Sequence, residues 1–290
     1  MSTLRTKIIL AGGTVTSALG PMKQRWLPDE LDADLLGWMR GDGLDTLTLN
    51  GSDEVTQWDS KVNAFSLTNQ NGAAAKPVYN PTAWSDGTAA LEFTAGTGLT
   101  TGTVMRGTGP LNDDGMMVFA AVKRGAQLNG TGVGIRPIVI VPATLYSAVR
   151  QGAYLGVWRP TVEAPQTKLT AGQHTGTIGS NSNVDGFDNG DEAIISGEYR
   201  NVAPYVQARM NAGAPGAAAG WFGTAYSQYY IGGANNSNDS QFEGLIKEVI
   251  VTKILSDADR FRVEGYLAWR CSLQALLPAD HVYRNDGPYV

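Results

Sequence analysis

Between Leu35 and Lys253 the chain runs as short apolar segments broken by glycine, asparagine, serine and threonine, with no helical stretch between them. That texture constrains the fold more than any other feature. The runs "DTLTLN" (45–50), "AALEF" (89–93), "MMVFAAVK" (116–123), "IRPIVIV" (135–141) and "AYLGVW" (153–158) have the length and the β-branched or aromatic content of strands. So do "EAIISGEYR" (192–200), "PYVQARMN" (204–211), "YYIGG" (229–233) and "LIKEVIVTK" (245–253). Parallel neighbours would need long crossovers, usually helices. About nine strands without them predict antiparallel sheets packed face to face. "NAGAPGAAAGW" (211–221) offers too little packing surface to be more than a loop.

Composition bounds the rest. Apolar residues at 42% can fill a core, and 17% charged residues are too few for a disordered chain. At 290 residues, one large β domain or two small ones would fit. A net charge of -5 without a basic block excludes a nucleic-acid groove, which needs clustered Lys and Arg. No apolar run approaches the roughly 20 residues of a membrane-spanning helix, so membrane insertion is not expected. The single cysteine, Cys271, rules out an internal disulfide and fits assembly in a reducing cytoplasm. The apolar "KIIL" after Arg5 and Lys7 is too short for a signal peptide before Gly12 and Gly13, and reads as a strand or an arm.

The helical exception comes late. Ser256 is placed to cap a helix, with Asp257 in its first turn and Asp259 completing a capping-box-like arrangement. Phe261 with Ala268, and Val263 with Leu267 and Cys271, recur at helical spacing, and Pro278 ends the element. Gly265 in its middle costs roughly 1 kcal/mol against Ala, which predicts a close approach to a neighbouring surface. The expected organisation is an arm over residues 1–33, broken by Pro21 and Pro28, then one domain over 34–276 and a tail over 277–290. The helix, 256–275, is expected to cover an open end or edge of the sandwich.

Together "FEGLIKEVIV", "LSDADR", "EGYLAWR" and "LPADH" resemble the closing segment of concanavalin A-like (laminin-G-like) jelly-roll domains of bacteriophage virion proteins. The opening "LLGWMRGDGLDTLTLNGSDEVTQWDSKVNAFSLTNQNGAAAKPVYN", followed by "AALEFTAGTGLT", is similar to the start of such domains. The resemblance spans roughly residues 35 to 285 and lies at the two ends more than in the middle. It implies an all-β, antiparallel two-sheet jelly-roll sandwich with a C-terminal helix, whose concave face or loops often bind glycans. It also admits glucanases.

The residues carry no glucanase signature of alternating carboxylates on one strand. In "SDEVTQWD" the adjacent Asp53 and Glu54 fall on opposite faces, and "DGFDNGDE" is too rich in glycine for a strand. In "NSNVDGFDNGDE", Asn181, Asn183, Asp185, Gly186 and Glu192 match positions 1, 3, 5, 6 and 12 of a calcium loop. Asparagine at position 1 and strand-like flanks favour an ordinary acidic hairpin over calcium, which is the one cofactor the pattern admits. His174 and His281 lack partners at metal spacing and read as surface or capping residues, and Cys271 as a small buried apolar one. Trp158, Trp221, Phe222, Tyr226, Tyr229 and Tyr230 are either core or sugar-stacking aromatics. Of these, Trp221, with Asn235, Asn236, Asn238 and Asp239 of the neighbouring polar segment, is the preferred ligand surface.

These readings, with the resemblance, predict a non-enzymatic virion structural protein, either a head decoration or fibre or a small tail protein. Its expected partners are capsid or tail proteins and further copies of itself, after assembly in the host cytoplasm. The alternative is a glycan-binding host-recognition adhesin, and the third class is a glycoside hydrolase.

Overall fold

The computed structural model describes residues 25–69, 76–94, 103–110, 112, 114–125, 134–142, 152–159, 168–174, 178–200, 206–216, 228–233 and 241–289. Its first strands are β1 (Leu35–Arg40), β2 (Leu47–Leu49), β3 (Val55–Asp59), β4 (Ser66–Asn69), β5 (Val78–Asn80) and β6 (Ala90–Phe93). Next come β7 (Met105–Gly107), β8 (Gly115–Arg124), β9 (Gly134–Pro142), β10 (Gly152–Arg159) and β11 (Lys168–His174). The last are β12 (Ile178–Asp185), β13 (Glu192–Arg200), β14 (Val206–Met210), β15 (Tyr229–Ile231) and β16 (Gly244–Lys253). One helix, α1 (Asp257–Arg270), follows.

Every pairing between these strands is antiparallel, and they form two sheets. The nine-stranded sheet runs β12-β11-β10-β9-β15-β7-β4-β3-β2. The seven-stranded sheet runs β14-β13-β8-β16-β6-β5. In it β6 pairs with β16 at Gly244–Ile246 and β1 pairs with it at Glu248–Thr252, so two strands share one edge. Side chains alternate along each strand, and the inward set, including Trp58, Leu67, Met105, Val118, Leu155 and Val249, forms a buried core between the sheets. The expected antiparallel sandwich is therefore the fold.

Strict alternation is interrupted at several register shifts, and the one that bears on the helix is at Lys247. The register of β16 on β8 shifts between Ile246 and Glu248, which makes Lys247 the extra residue of a β-bulge. Because of it, Ile246 and Val249 both enter the core although three residues apart, and Glu248 points to the outer face.

On that outer face lies a second core. Val263, Tyr266, Leu267 and Ala268 of α1, with its C-cap Cys271, pack on Met117, Phe119, Ile194 and Ile250 of the sheet. Each Val, Leu, Ile, Met or Phe side chain so buried contributes about 1.5–3 kcal/mol. The helix thus lies across a sheet face, which corrects the expectation that it seals an end or an edge. It is also shorter than 256–275. Ser272 adopts φ 60°, and the chain resumes only as a 3-10 turn at Gln274–Leu276. The cap is as expected: the Asp259 N–H donates to Ser256 Oγ at 3.2 Å.

Both ends of the described chain close on the helix. The Trp26 N–H donates to the Pro288 carbonyl at 3.0 Å, and the Trp26 ring meets Tyr266 edge-on at 6.1 Å. Gly265 explains itself here, because a Cβ at that position would lie 2.6 Å from Cβ of Tyr283.

Candidate functional site

The nine-stranded sheet has an outer face whose composition changes along a single row. Thr48 opposes Gln57, Gln57 opposes Thr68, and Thr68 opposes Arg106. Arg106 opposes Tyr230, Tyr230 opposes Ile140, Ile140 opposes Tyr154, and Tyr154 opposes Gly172. Directly opposed residues share a face. The strand neighbours of these residues, among them Met105, Val139, Leu155 and Ile231, belong to the core, so the row lies on the side away from it.

One half of the row is apolar. Val104, Ile140, Tyr154 and Tyr230 form a small buried cluster of their own. The other half is polar and open: Thr48 and Thr68 are exposed, while Gln57, Asp59, Ser66 and Arg106 are half-buried. Gln57 Nε2 donates to Asp59 Oδ1 at 2.7 Å and Ser66 Oγ donates to the same oxygen at 2.5 Å. At the boundary the Arg106 guanidinium lies 5.7 Å from the Tyr230 ring centroid, and the Tyr230 hydroxyl donates to Gln228 at 3.0 Å. An amide, a carboxylate, hydroxyls and a guanidinium on a rigid sheet make a surface that both donates and accepts hydrogen bonds.

The polar platform was not among the sequence candidates. It takes one or two residues from each of four strands, which leaves no local motif. The one available signal was the alternation in "VTQWDS", where Trp58 turns inward and Gln57 and Asp59 turn outward.

The sequence candidates are placed as follows. Trp221, Phe222, Tyr226, Asn235, Asn236, Asn238 and Asp239 lie outside the described residues. Their segments adjoin β15 on either side, beside Gln228 and Gly233, and β15 carries Tyr230. Tyr229 is a core residue stacked on Phe65 at 5.2 Å, and burial pushes its hydroxyl well above the usual range. Trp158 and His174 lie on β10 and β11. Cys271 is buried at the helix end, where burial raises its thiol pKa, in keeping with an inert apolar role. His281 is not a surface residue: its side chain is 2% exposed and packs edge-on to Phe261 at 5.2 Å.

The segment matching a calcium loop is not a loop over its first five positions. Asn181, Asn183 and Asp185 lie on β12, while Glu192 begins β13 in the other sheet. Asp185 pairs with Lys168 at 2.8 Å. Glu192 accepts from the Ser85 N–H at 2.9 Å and from Lys123 at 3.2 Å. Each carboxylate thus already has a cationic partner, and strand pairing draws the two ends of the pattern into different layers.

No protein-family model matches the chain, and no curated protein does. Solved structures do match. Trypanosoma rangeli sialidase in complex with sialic acid aligns at a TM-score of 0.52 and 13% identity, over 86% of this chain and 36% of the sialidase. Domain 4 of AbnA, a GH43 extracellular arabinanase from Geobacillus stearothermophilus, in complex with arabinotriose, aligns at 0.46 and 13% identity, over 77% of this chain and 94% of that domain. The CBM40 of Ruminococcus gnavus IT-sialidase bound to alpha2,6 sialyllactose aligns at 0.36 and 13% identity, over 50% and 80% of the two chains. The chain spans about a third of the sialidase it matches, and the likeness is one of fold. It corrects the expectation of a virion structural protein: the sandwich recurs in a glycoside hydrolase, and the match carries no link to phage particles.

Proposed function

We propose that this chain is a glycan-binding β-sandwich and that the outer face of its nine-stranded sheet is the recognition surface. The observation that carries the reading is the row from Gln57 through Thr68 to Arg106 and Tyr230. It sets sugar-compatible donors and acceptors beside an aromatic boundary on a scaffold that needs no rearrangement to bind. Sugar hydroxyls both donate and accept, and a platform with an amide, a carboxylate and a guanidinium answers both needs. The fold likeness to a sialidase solved with sialic acid supports a glycan as the ligand class.

Binding is favoured over hydrolysis by the two-carboxylate route because Asp59 is the one carboxylate among the platform residues named above. Glycoside hydrolysis by the two-carboxylate route needs a pair roughly 5–9.5 Å apart. Asp59 instead accepts from Gln57 and Ser66, a role suited to fixing the platform. The experiment is a glycan array on the full chain and on Arg106→Ala and Gln57→Ala variants. Signals present for the parent and lost in both variants are expected. A flat array would end the reading, and release of reducing sugar from an array hit would replace it with the hydrolase.

A further inference from the structure

On the opposite side of the molecule, a cleft of about 290 Å³ opens between the end of β14, the first turns of α1 and the C-terminal tail. We propose that this cleft binds an oxyanion, a carboxylate or phosphate on a small carbon body, through the N–H groups of Arg209 and His281. Its volume lies at the low end of small-molecule sites, about 300–1,000 Å³. Ala212, Phe261, Pro278 and Val282 supply an apolar lining.

Two residues that line this cleft each carry a buried donor without a protein acceptor. His281 Nδ1 accepts from the Tyr283 backbone N–H at 3.2 Å, which puts the ring proton of the neutral imidazole on Nε2. Nε2 has no hydrogen-bond partner; Glu264 Oε2 lies 3.7 Å away, beyond hydrogen-bond range. Arg209 Nε is likewise buried without an acceptor, and Nη2 of the same residue reaches only the neutral amide oxygen of Gln207, at 3.3 Å. Buried donors without partners are rare and call for an explanation.

The charges around them favour an anion. Glu264 is occupied by Arg260, whose Nη1 reaches both carboxylate oxygens at 3.1 Å, and Asp257 takes the other end of Arg260 at 3.0 Å. Asp280 lines the cleft but is exposed. Arg209 is left as the guanidinium without a carboxylate at ion-pair distance among the described residues. Burial and then the neighbouring Arg260 charge hold it below its ordinary pKa, against the pull of Glu264 and Glu198. An oxyanion would satisfy both idle donors by charge-assisted hydrogen bonds and relieve the repulsion between the guanidiniums.

The cleft shares no residue with the glycan platform, so either proposal can fail alone. Thermal melts of the full chain would be run in sodium phosphate, sodium glucuronate and glucose, each against sodium chloride at equal ionic strength. A ligand specific to the folded state must raise Tm. A rise with phosphate or glucuronate but not glucose is expected, and the stronger of the two anions identifies the headgroup. Arg209→Gln should weaken that response about tenfold or more, while Lys76→Ala, a cation of neither surface, should leave it unchanged. No anion-specific rise, or a rise that survives Arg209→Gln, overturns the proposal. Should Arg209→Gln fail to fold, the imidazole NMR signal of His281 in a His174→Gln background decides. It shifts on phosphate or glucuronate titration if the site is real, and stays still if the idle donors serve only water.

Discussion

The indole N–H of Trp38 donates to Glu248 Oε1 at 2.5 Å, joining β1 to β16 beneath the helix across 210 residues of chain. The Tyr266 hydroxyl donates to the same oxygen at 2.9 Å, so one carboxylate oxygen ties two strands to α1. The other oxygen has no hydrogen bond; its nearest cation is Arg270 Nε, at 3.9 Å. Burial raises the carboxyl pKa to about 6, against the pull of Trp38, Arg270 and Tyr266, while Asp42 adds to the rise.

A raised folded-state pKa means that the native protein holds this proton more tightly than the unfolded chain does. Below the unfolded value of 4.5 the group costs nothing. Between there and about 6 the folded state loses ground, and above 6 the cost is complete, on the order of 2 kcal/mol. Glu248→Gln keeps an acceptor for Trp38 and Tyr266 and cannot ionise. In urea unfolding, the stability of the parent relative to Glu248→Gln should fall by about 2 kcal/mol between pH 4 and pH 7. A difference constant across that range would show that the carboxylate is well solvated or fully paired.

How much of this was legible beforehand depends on the range of the interaction. The strands that bury long runs, such as "MMVFAAVK" and "EAIISGEYR", stood out because apolar or small residues fill their middles. Strand β12, "IGSNSNVD", did not, because its outward positions are polar, and its Asn and Asp residues mimicked a metal loop. Ser256 and Gly265 were readable because caps and close approaches leave a local mark. Lys247 and Glu248 are adjacent charged residues with no local sign of burial, and only the bulge and the helix packed on the sheet bury both. The polar platform needed the register between four strands, which no local pattern encodes.

Gly265→Ala tests the approach of the tail to the helix. Alanine is favoured over glycine in a helix by about 1 kcal/mol, yet the new methyl would sit 2.6 Å from Cβ of Tyr283. Overpacking of that kind costs about 1–3 kcal/mol, so a net loss of stability is expected. In a Tyr283→Gly background the same substitution should become neutral or stabilising. Equal effects in the two backgrounds would mean that tail and helix do not touch in solution.

Calcium is expected to leave the melting temperature unchanged within about 1 °C at millimolar concentration. Asp185 and Glu192 are held by Lys168 and Lys123 in different sheets, so a bound ion would have to break both pairs. A rise that Asp185→Asn abolishes would show instead that β12 can rearrange into a ligating loop.

Lys247 is the sharper test of the bulge. Its side chain is 0% exposed, and its Nζ has Asp86 Oδ2 at 3.3 Å, Thr88 Oγ1 at 2.5 Å and the Trp84 ring centroid at 5.1 Å. Removing the partner of a buried charge strands that charge away from water, and the exposure of Asp86 lessens the cost relative to a fully buried pair. Asp86→Asn is therefore expected to destabilise by about 1–3 kcal/mol in guanidinium unfolding. Lys247→Met should cost less, because Asp86 keeps the Thr88 N–H at 2.9 Å and the Ser272 hydroxyl at 3.0 Å, and methionine fills the same channel beside Trp84. The double variant should recover most of the loss, since it strands neither charge. If Asp86→Asn and Lys247→Met instead act additively, the ammonium reaches solvent and the bulge does not bury it.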